Sequence, residues 1–385
     1  MDFSLTPEQQ SLRDKVIAFA RAEIGADAAE HDRAATFDRE GWARCAEFGV
    51  LGWTVPRAYG GSELDPVTAM VAHEAFAYAC RDNGLTFAIN NHLWACVMYI
   101  VEHGTPEQCA RYLPPLVDGS MVGAHALTEP QAGSDILAMT TRAERVGDTY
   151  VLTGTKCFIS NGPVADLFTV IARTGDGPAQ GALTLFIVPA DLPGVQVVRD
   201  IPKAGLRGTL MGEIRFDDVV LSADHILGAE GRGYQIFTST IEWERSFMFS
   251  AAIGAMRRVL DMSVRHAATR RQFGKPIGAF QAVSHKIADM RVRLEAARLM
   301  LYHVAWLKSQ GRMALLECAI LKVFATEGLI QTCLDAQQLH GARGYVSDLP
   351  IERELRDALA GTIYGGTSEI QRNVIASLVG VPAMS

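Results

Sequence analysis

The hydrophobic period of this chain changes twice. From Thr6 to about Gly119 apolar residues recur at helical spacing; Leu12, Val16, Phe19 and Ala20 open the series, and long apolar stretches continue it at 64–82 and 84–103. Gly60-Gly61 and Gly104-Thr105-Pro106 punctuate it. Around Met121 short β-rich runs take over, at 150–153, 167–172, 183–188, 195–198 and 214–221, several of them divided by turn residues such as Gly147-Asp148, Gly175-Asp176-Gly177 and Asp217-Asp218. From Gly231 the helical period returns, at about 233–268, 277–309, 312–341 and 366–379. One element cannot satisfy both periods. The order predicts an α+β multidomain chain: an all-α N-terminal domain over 1–120, a middle β domain over 121–229 that is a barrel or a sandwich, and a C-terminal α-helical bundle over 230–385.

With 385 residues, 49% of them hydrophobic, the chain can bury a large core. Its net charge of -7 argues against nucleic acid, because phosphate contacts need clustered Lys and Arg and the basic residues are mostly scattered, with a local pair at Arg270-Arg271. No apolar run predicts a membrane span. The seven cysteines are odd in number, widely spaced and without a CxxC pair, which points away from disulfides and zinc, predicts no metal site and suits a reducing cytoplasm. The opening MDFSLTPEQQSLRDK lacks the basic and apolar regions of a leader; Thr6-Pro7 with Gln9 reads instead as an N-cap, a first-turn proline and a capping-box partner.

Three stretches carry candidate chemistry. ALTEPQAGSD, 126–135, sets a hydroxyl (Thr128), a carboxylate (Glu129), a rigid turn (Pro130) and an Ala-Gly-Ser corner within ten residues; it is either a binding loop or a tight turn. GTKCFISNGPVAD, 154–166, places Phe158 and Ser160 on a strand and its end, where the aromatic faces either a core or a ligand. RRQFGKPIGAFQ, 270–281, is either a solvated cap or a guanidinium site for phosphate oxygens. In series, and with QLHGARG (338–344) and YGGTSEIQR (364–372), they resemble the acyl-CoA dehydrogenase family along nearly the whole chain. The resemblance implies FAD. It places Leu127 and Thr128 near the reactive flavin nitrogen, Phe158 and Ser160 against the ring, and Ser134 near the bound thioester and its carrier arm. It further implies that Arg270, Gln272, Phe273 and Gln281, with Gln338, Gly341 and Ala342, line the dinucleotide of a neighbouring subunit, and that Thr367 and Glu369 hold its other end. Ala342 replaces a glycine common there. FAD shared in this way implies a homo-oligomer, a tetramer by resemblance.

Oxidising an acyl thioester between Cα and Cβ needs a poorly solvated carboxylate to take the α-proton. The position that supplies it in many family members, just before the Gly-Thr-Ser of the C-terminal motif, is here Gly365. A smaller group, resembling isovaleryl-CoA dehydrogenase, carries the base on the long helix before the Arg-rich loop, and Glu244-Arg245 in IEWERSFMF matches it, 26 residues ahead of Arg270. Glu244 is either that base or an ordinary surface carboxylate; its apolar surroundings (Ile241, Trp243, Phe247, Met248, Phe249) favour the first. Glu242, the competitor, sits about 200° around the helix. The Gly365 N–H is left to polarise the thioester carbonyl, with Gly365-Gly366, Ile241, Arg245 and Ser134 around the acyl group. Asn90, Trp94 and Met98 either line the pocket or pack the helix.

The expectation is FAD-dependent α,β-dehydrogenation of a thioester on coenzyme A or a carrier protein, with an electron-transfer flavoprotein or O2 as acceptor. A flavin oxidase or monooxygenase on the same fold, a non-catalytic acyl-carrier binding protein and a structural helical scaffold are the alternatives.

Overall fold

The structure, a computed structural model, describes residues 4–381; the first three residues of the stretch inspected for a leader lie outside that range. The N-terminal lobe contains α1 (Pro7–Glu23), α2 (Ala28–Ala34), α3 (Arg39–Phe48), α4 (Pro66–Ala79), α5 (Asn83–His92), α6 (Met98–His103) and α7 (Pro106–Val117). α1 starts as its sequence dictates: Thr6 Oγ1 accepts from the Gln9 N–H, the Gln9 side chain returns to the Thr6 N–H, and Pro7 occupies the first turn. A five-residue π-turn, Leu93–Val97, joins α5 to α6, where the apolar period predicts one continuous helix. The extra residue rotates α6 relative to α5: Trp94 and Met98 stay in the core shared with the C-terminal bundle, whereas Tyr99 and Ile100 turn into the core against the sheet. The 21-residue run Asn83–His103 has, against expectation, the length and mean hydropathy of a membrane span; 94% of its most apolar 18-residue window is buried inside the protein, as in a core helix.

The middle lobe contains β1 (Gly123–Ala126), β2 (Arg142–Val146), β3 (Thr149–Ser160), β4 (Leu167–Arg173), the short α8 (Ala179–Ala182), β5 (Leu183–Pro189), β6 (Val195–Asp200) and β7 (Met211–Ser222). β1 and β2 lie outside the runs marked by composition. The barrel-or-sandwich alternative resolves as one seven-stranded mixed sheet in the order β1-β4-β2-β3-β7-β6, with β5 on β4. β4 and β5 are buried on both faces, which explains their unbroken apolar reading. Phe168, Val170, Phe186 and Phe216 fill the sheet's own core, while Leu167, Ile171, Leu185 and Ile187 pack with the helices.

The C-terminal lobe runs α9 (Gly233–Phe247), α10 (Ser250–Thr269), a two-stranded hairpin β8 (Arg271–Gln272) and β9 (Lys275–Pro276), α11 (Gln281–Ser309), α12 (Leu315–His340), α13 (Ala342–Tyr345), α14 (Ile351–Leu359) and α15 (Ser368–Leu378). The stretch expected as one helix over 233–268 divides at Met248-Phe249, and α14 lies outside every predicted segment. Trp42, Phe76 and Trp94 share one hydrophobic cluster with Trp243, Phe247, Met290 and Leu294, so both helical lobes enclose a common core. Its polar lock is Arg258 of α10. The guanidinium donates to both carboxylate oxygens of Glu354 on α14 (2.8 and 3.0 Å), to the Ala77 and Cys80 carbonyls (2.8 Å for Cys80) where α4 ends, and to Asn83 Oδ1 at 2.6 Å. Burial pushes Glu354 upward and Arg258 outweighs it, holding the carboxyl below its ordinary range.

Removing the cation strands a buried anion. Arg258→Leu is expected to destabilise the fold by about 3–5 kcal/mol, and Arg258→Leu with Glu354→Leu to recover part of that, measured as urea midpoints and melting temperatures. Arg13→Ala, which breaks the exposed pair with Asp14, is expected to stay within about 0.5 kcal/mol of wild type.

Candidate active site

α9 crosses between the helical core and the sheet, and its sequence assigns each face. Trp243 and Phe247 enter the helical core, Ile236, Phe237 and Ile241 the core against the sheet. Glu242 points away: its carboxylate accepts from Lys308 Nζ and the Ala314 N–H, both at 3.1 Å, which fastens α9 to α11 and the start of α12. Glu244 has no such role. Among the described residues none hydrogen-bonds its carboxylate, and burial raises it to about 7 against the opposing charge of Arg245. The side chain keeps some accessible surface, as a group facing a cleft does, while protein surrounds it in depth.

Opposite lies the loop from Tyr364 to Gly366. Gly365 and Gly366 have φ of +64° and +85°, a region that disfavours side chains. Arg245 Nε donates to the Gly365 carbonyl at 3.2 Å, and Gln371 Nε2 to the same carbonyl at 3.0 Å. The loop is thus held by its oxygens, and the Gly365 N–H makes no hydrogen bond to a described residue. A Cβ at position 365 would stand 3.7 Å from Glu244 Oε1. A carboxylate arriving from α9 therefore occupies the space that a side chain at 365 would enter.

The loop 126–135 borders the sheet. Lys156, wholly buried on β3, donates from Nζ to the Leu127 carbonyl and to Glu129 Oε1, both at 2.9 Å. Glu129 also accepts from the Thr140 and Thr141 N–H groups at 2.7 and 2.9 Å, and its own backbone pairs with Ala132 across the turn. Burial raises Glu129, but Lys156 and these hydrogen bonds prevail and bring it down to about 2; burial lowers Lys156 to about 8, so both partners are ionised at neutral pH. The β3–β7 ladder bulges between Lys156 and Ile159, and within the bulge the Cys157 N–H donates to the Thr128 carbonyl at 2.9 Å. Phe158 takes a left-handed φ of +57° and is 58% exposed, so it is not the core aromatic that alternation also allowed. Ser160 ends the strand, its carbonyl accepting from Asn91 Nδ2 at 3.1 Å, and Ser134 stands exposed on the loop.

Arg270, Gln272, Phe273, Gln281, Gln338, Gly341 and Ala342 are all exposed, at the ends of α10 and α12 and the start of α11. The rings of His266 and His340 stack at 4.2 Å and bring the ends of α10 and α12 together. Phe273, 91% exposed at φ +51°, is a second aromatic displayed from strained backbone, and a Cβ at Gly341 would meet nothing within 4 Å. A displayed ring, a guanidinium and open glycine backbone suit a dinucleotide. Thr367 caps α15 by accepting from the Ile370 N–H, with Glu369 exposed beside it. Asn90, Trp94 and Met98 are buried, and Asn90 Oδ1 accepts from the Trp94 indole at 2.8 Å; they sit in helix packing. His31 lies beside the carboxylates of Asp38 and Asp82, but those cap α3 and α5.

The three-lobed fold sets a buried carboxylate, without a hydrogen-bond partner among the described residues, beside a glycine loop, and comparison with known proteins names the class and the family. The chain matches the acyl-CoA dehydrogenase N-terminal domain over residues 6–120, the middle domain over 124–219 and the C-terminal domain over 231–379. It is 41% identical over 379 residues to the L-prolyl-[peptidyl-carrier protein] dehydrogenase of Pseudomonas fluorescens, covering 98% of this chain and 99% of that one. Among solved structures it superposes on the prolyl acyl carrier protein oxidase AnaB with a TM-score of 0.97 at 44% identity (98% and 100% covered), and on PigA with FAD and proline with 0.96 at 35% (99% and 100%). The chain belongs to the acyl-CoA dehydrogenase family. It is an oxidoreductase whose cofactor is FAD.

Sequence reasoning missed Lys156, Tyr99, His125 and Tyr364. A lysine inside an alternating strand was the one available signal. Lys156→Met is expected to weaken FAD binding about ten-fold or more by releasing the Leu127–Glu129 backbone, read as the dissociation constant from flavin fluorescence; an unchanged constant would show that the loop holds without the pair.

Proposed function

We propose that Glu244 is the base of an acyl-thioester dehydrogenation, and that the acyl group is a small cyclic amino acid borne on a carrier protein. The observation that carries the first part is the Glu244 carboxylate, without a hydrogen-bond partner among the described residues and 3.7 Å from where a Gly365 Cβ would stand. Glu244 takes the α-proton as the Cα–Cβ bond becomes a double bond; the bound FAD supplies the acceptor for the β-hydride. Arg245 holds the Gly365 carbonyl, which leaves the Gly365 N–H to donate to the thioester oxygen as negative charge develops there. Leu127, Thr128, Ser134, Phe158 and Ser160 would hold the flavin and the thioester arm. Arg270, Gln272, Phe273, Gln281, Gln338, Gly341 and Ala342, with Thr367 and Glu369, would hold the dinucleotide across a subunit boundary.

The substrate reading rests on the relatives named for prolyl carrier-protein oxidation and is supported by the aromatic packing of the loop opposite Glu244, where Tyr364 packs on Phe87 at 4.7 Å and stacks on Phe249 at 5.6 Å. Electrons leave to an electron-transfer flavoprotein or to O2. A homotetramer is supported by apolar side chains exposed along the bundle, among them Val292, Leu299, Trp306, Ile320 and Leu334. Seven buried thiols support a reducing, cytoplasmic setting.

Anaerobic flavin bleaching by prolyl thioester tests the base. Glu244→Gln is expected to slow it by about 10² to 10⁴ with FAD still bound. A base must be ionised, so the wild-type rate is expected to rise with pH and level off above about 7. Bleaching by the variant at wild-type speed would remove Glu244 from the role. Glu244→Gly with Gly365→Glu is expected to restore part of the lost rate, because the two side chains address one space, less what a left-handed glutamate costs, about 1–2 kcal/mol.

A further inference from the structure

Buried polar atoms are ordinarily paired, and one left unpaired calls for an explanation, a functional role or a bound group among them. Two of the unpaired atoms belong to the surroundings of Glu244. Tyr99 is fully buried, and among the described residues its hydroxyl has no partner; nor has Nε2 of His125. Their rings stack at 5.0 Å with planes 16° apart, so neither polar edge can satisfy the other. His125 in turn stacks on Phe237 at 6.4 Å. Phe237, Ile241 and Glu244 stand at i, i+4 and i+7, one stripe of α9; His125 stacks on its first member, and Tyr99 shares a core cluster with Phe237 and Ile241. Burial pushes the Tyr99 hydroxyl up, and the charge of Glu244 adds to it.

The neighbouring polar groups are already engaged. Glu102 accepts from the Trp243 indole and from Thr240 Oγ1, and Arg245 is committed to Gly365. The Thr169 hydroxyl lies 2.8 Å from His125 Nδ1 and can donate onward to the Ala95 carbonyl at 3.3 Å. That chain places the imidazole proton on Nδ1 and leaves Nε2 a bare acceptor. Burial, reinforced by the charge of Lys156, lowers His125 to about 3, so the ring is neutral.

We infer that the Tyr99 hydroxyl and His125 Nε2 form a polar subsite of the acyl pocket that receives a nitrogen of the acyl group, two acceptors for the two N–H bonds of a cyclic secondary ammonium. This rests on the thioester-dehydrogenase reading and names what distinguishes its substrate from a plain hydrocarbon. An acyl chain of carbon and hydrogen leaves both atoms unpaired, and a site built to hydrogen-bond discriminates strongly against a ligand that cannot answer. Glu244 beside the subsite adds a favourable charge for the ammonium when ionised.

The test pairs two acyl groups of one shape, prolyl and cyclopentanecarbonyl, on the same carrier thioester. The FAD-loaded wild type is expected to prefer prolyl in kcat/KM by at least about ten-fold, and Tyr99→Phe and His125→Phe each to shrink that ratio by about ten-fold or more. Amide-linked pantetheine analogues of the two acyl groups, with dissociation constants read from the flavin spectrum, are expected to show the same preference and the same loss without turnover. FAD content and melting temperature identify a variant that has failed to fold, and the other variant then decides. An unchanged ratio in rates and in binding overturns the subsite. The base reading fails separately, through wild-type bleaching by Glu244→Gln, and the binding arm remains decisive for the subsite even if neither thioester is oxidised.

Discussion

The ion pair between Lys156 and Glu129 is the contact on which the cleft depends. Taking two charges out of water is expensive, and the pair is tolerable because every neighbour answers it: the Leu127 carbonyl on the ammonium, the Thr140 and Thr141 N–H groups on the carboxylate. Those partners are themselves the loop and the segment leading into β2. Satisfying the pair therefore fixes the path of the chain at Leu127–Thr128 and makes room for the bulge after Lys156. The bulge aims Phe158 outward and gives the Thr128 carbonyl its bond from Cys157. A loop edge with an exposed aromatic is a consequence of how one buried lysine is neutralised.

The acid-base side of the cleft is built by a different constraint. α9 must fill two cores at once, and each of its acidic residues is resolved by position. Glu242 is paired with Lys308 and becomes a fastening. Glu244 is left facing the cleft, where burial favours its neutral form and the ionised form is correspondingly reactive. The Arg258–Glu354 lock keeps α10 and α14 against the end of α4, and with them the shared core that α9 leans on. A carboxylate whose proton affinity depends on burial needs such a rigid surround, because a small opening to water would return it to the ordinary range.

How much was legible depends on the range over which each feature is decided. The capping box at Thr6, the changes of period and the opposite facing of Glu242 and Glu244 depend on residues within a turn or two of one another, and they stand in the structure as the sequence implies. The family motifs were legible because they are contiguous strings. The hidden features are decided across lobes. The π-turn at Leu93–Val97 is set by the demand that Trp94 and Tyr99 enter different cores. Tyr99 and His125 are 26 residues apart and meet only when β1 packs against α5 and the π-turn that leads into α6. Without its context Phe158 reads first as a core aromatic, because the bulge that turns it out originates in Lys156 and Glu129, 27 residues apart.

Gly365 joins these two sides of the cleft. A side chain there would need a left-handed backbone and would approach Glu244, so the loop and the helix cannot both present a full carboxylate without crowding. With the proposed base on α9, position 365 is released to be glycine, and glycine permits the loop conformation in which Arg245 and Gln371 hold its carbonyl while its N–H makes no hydrogen bond to a described residue. In the proposed mechanism the group that withdraws the proton and the group that steadies the resulting charge thus come from separate elements, each held by its own contacts. Arg245 links them: adjacent to Glu244 in sequence, it reaches across to the loop and donates to the Gly365 carbonyl.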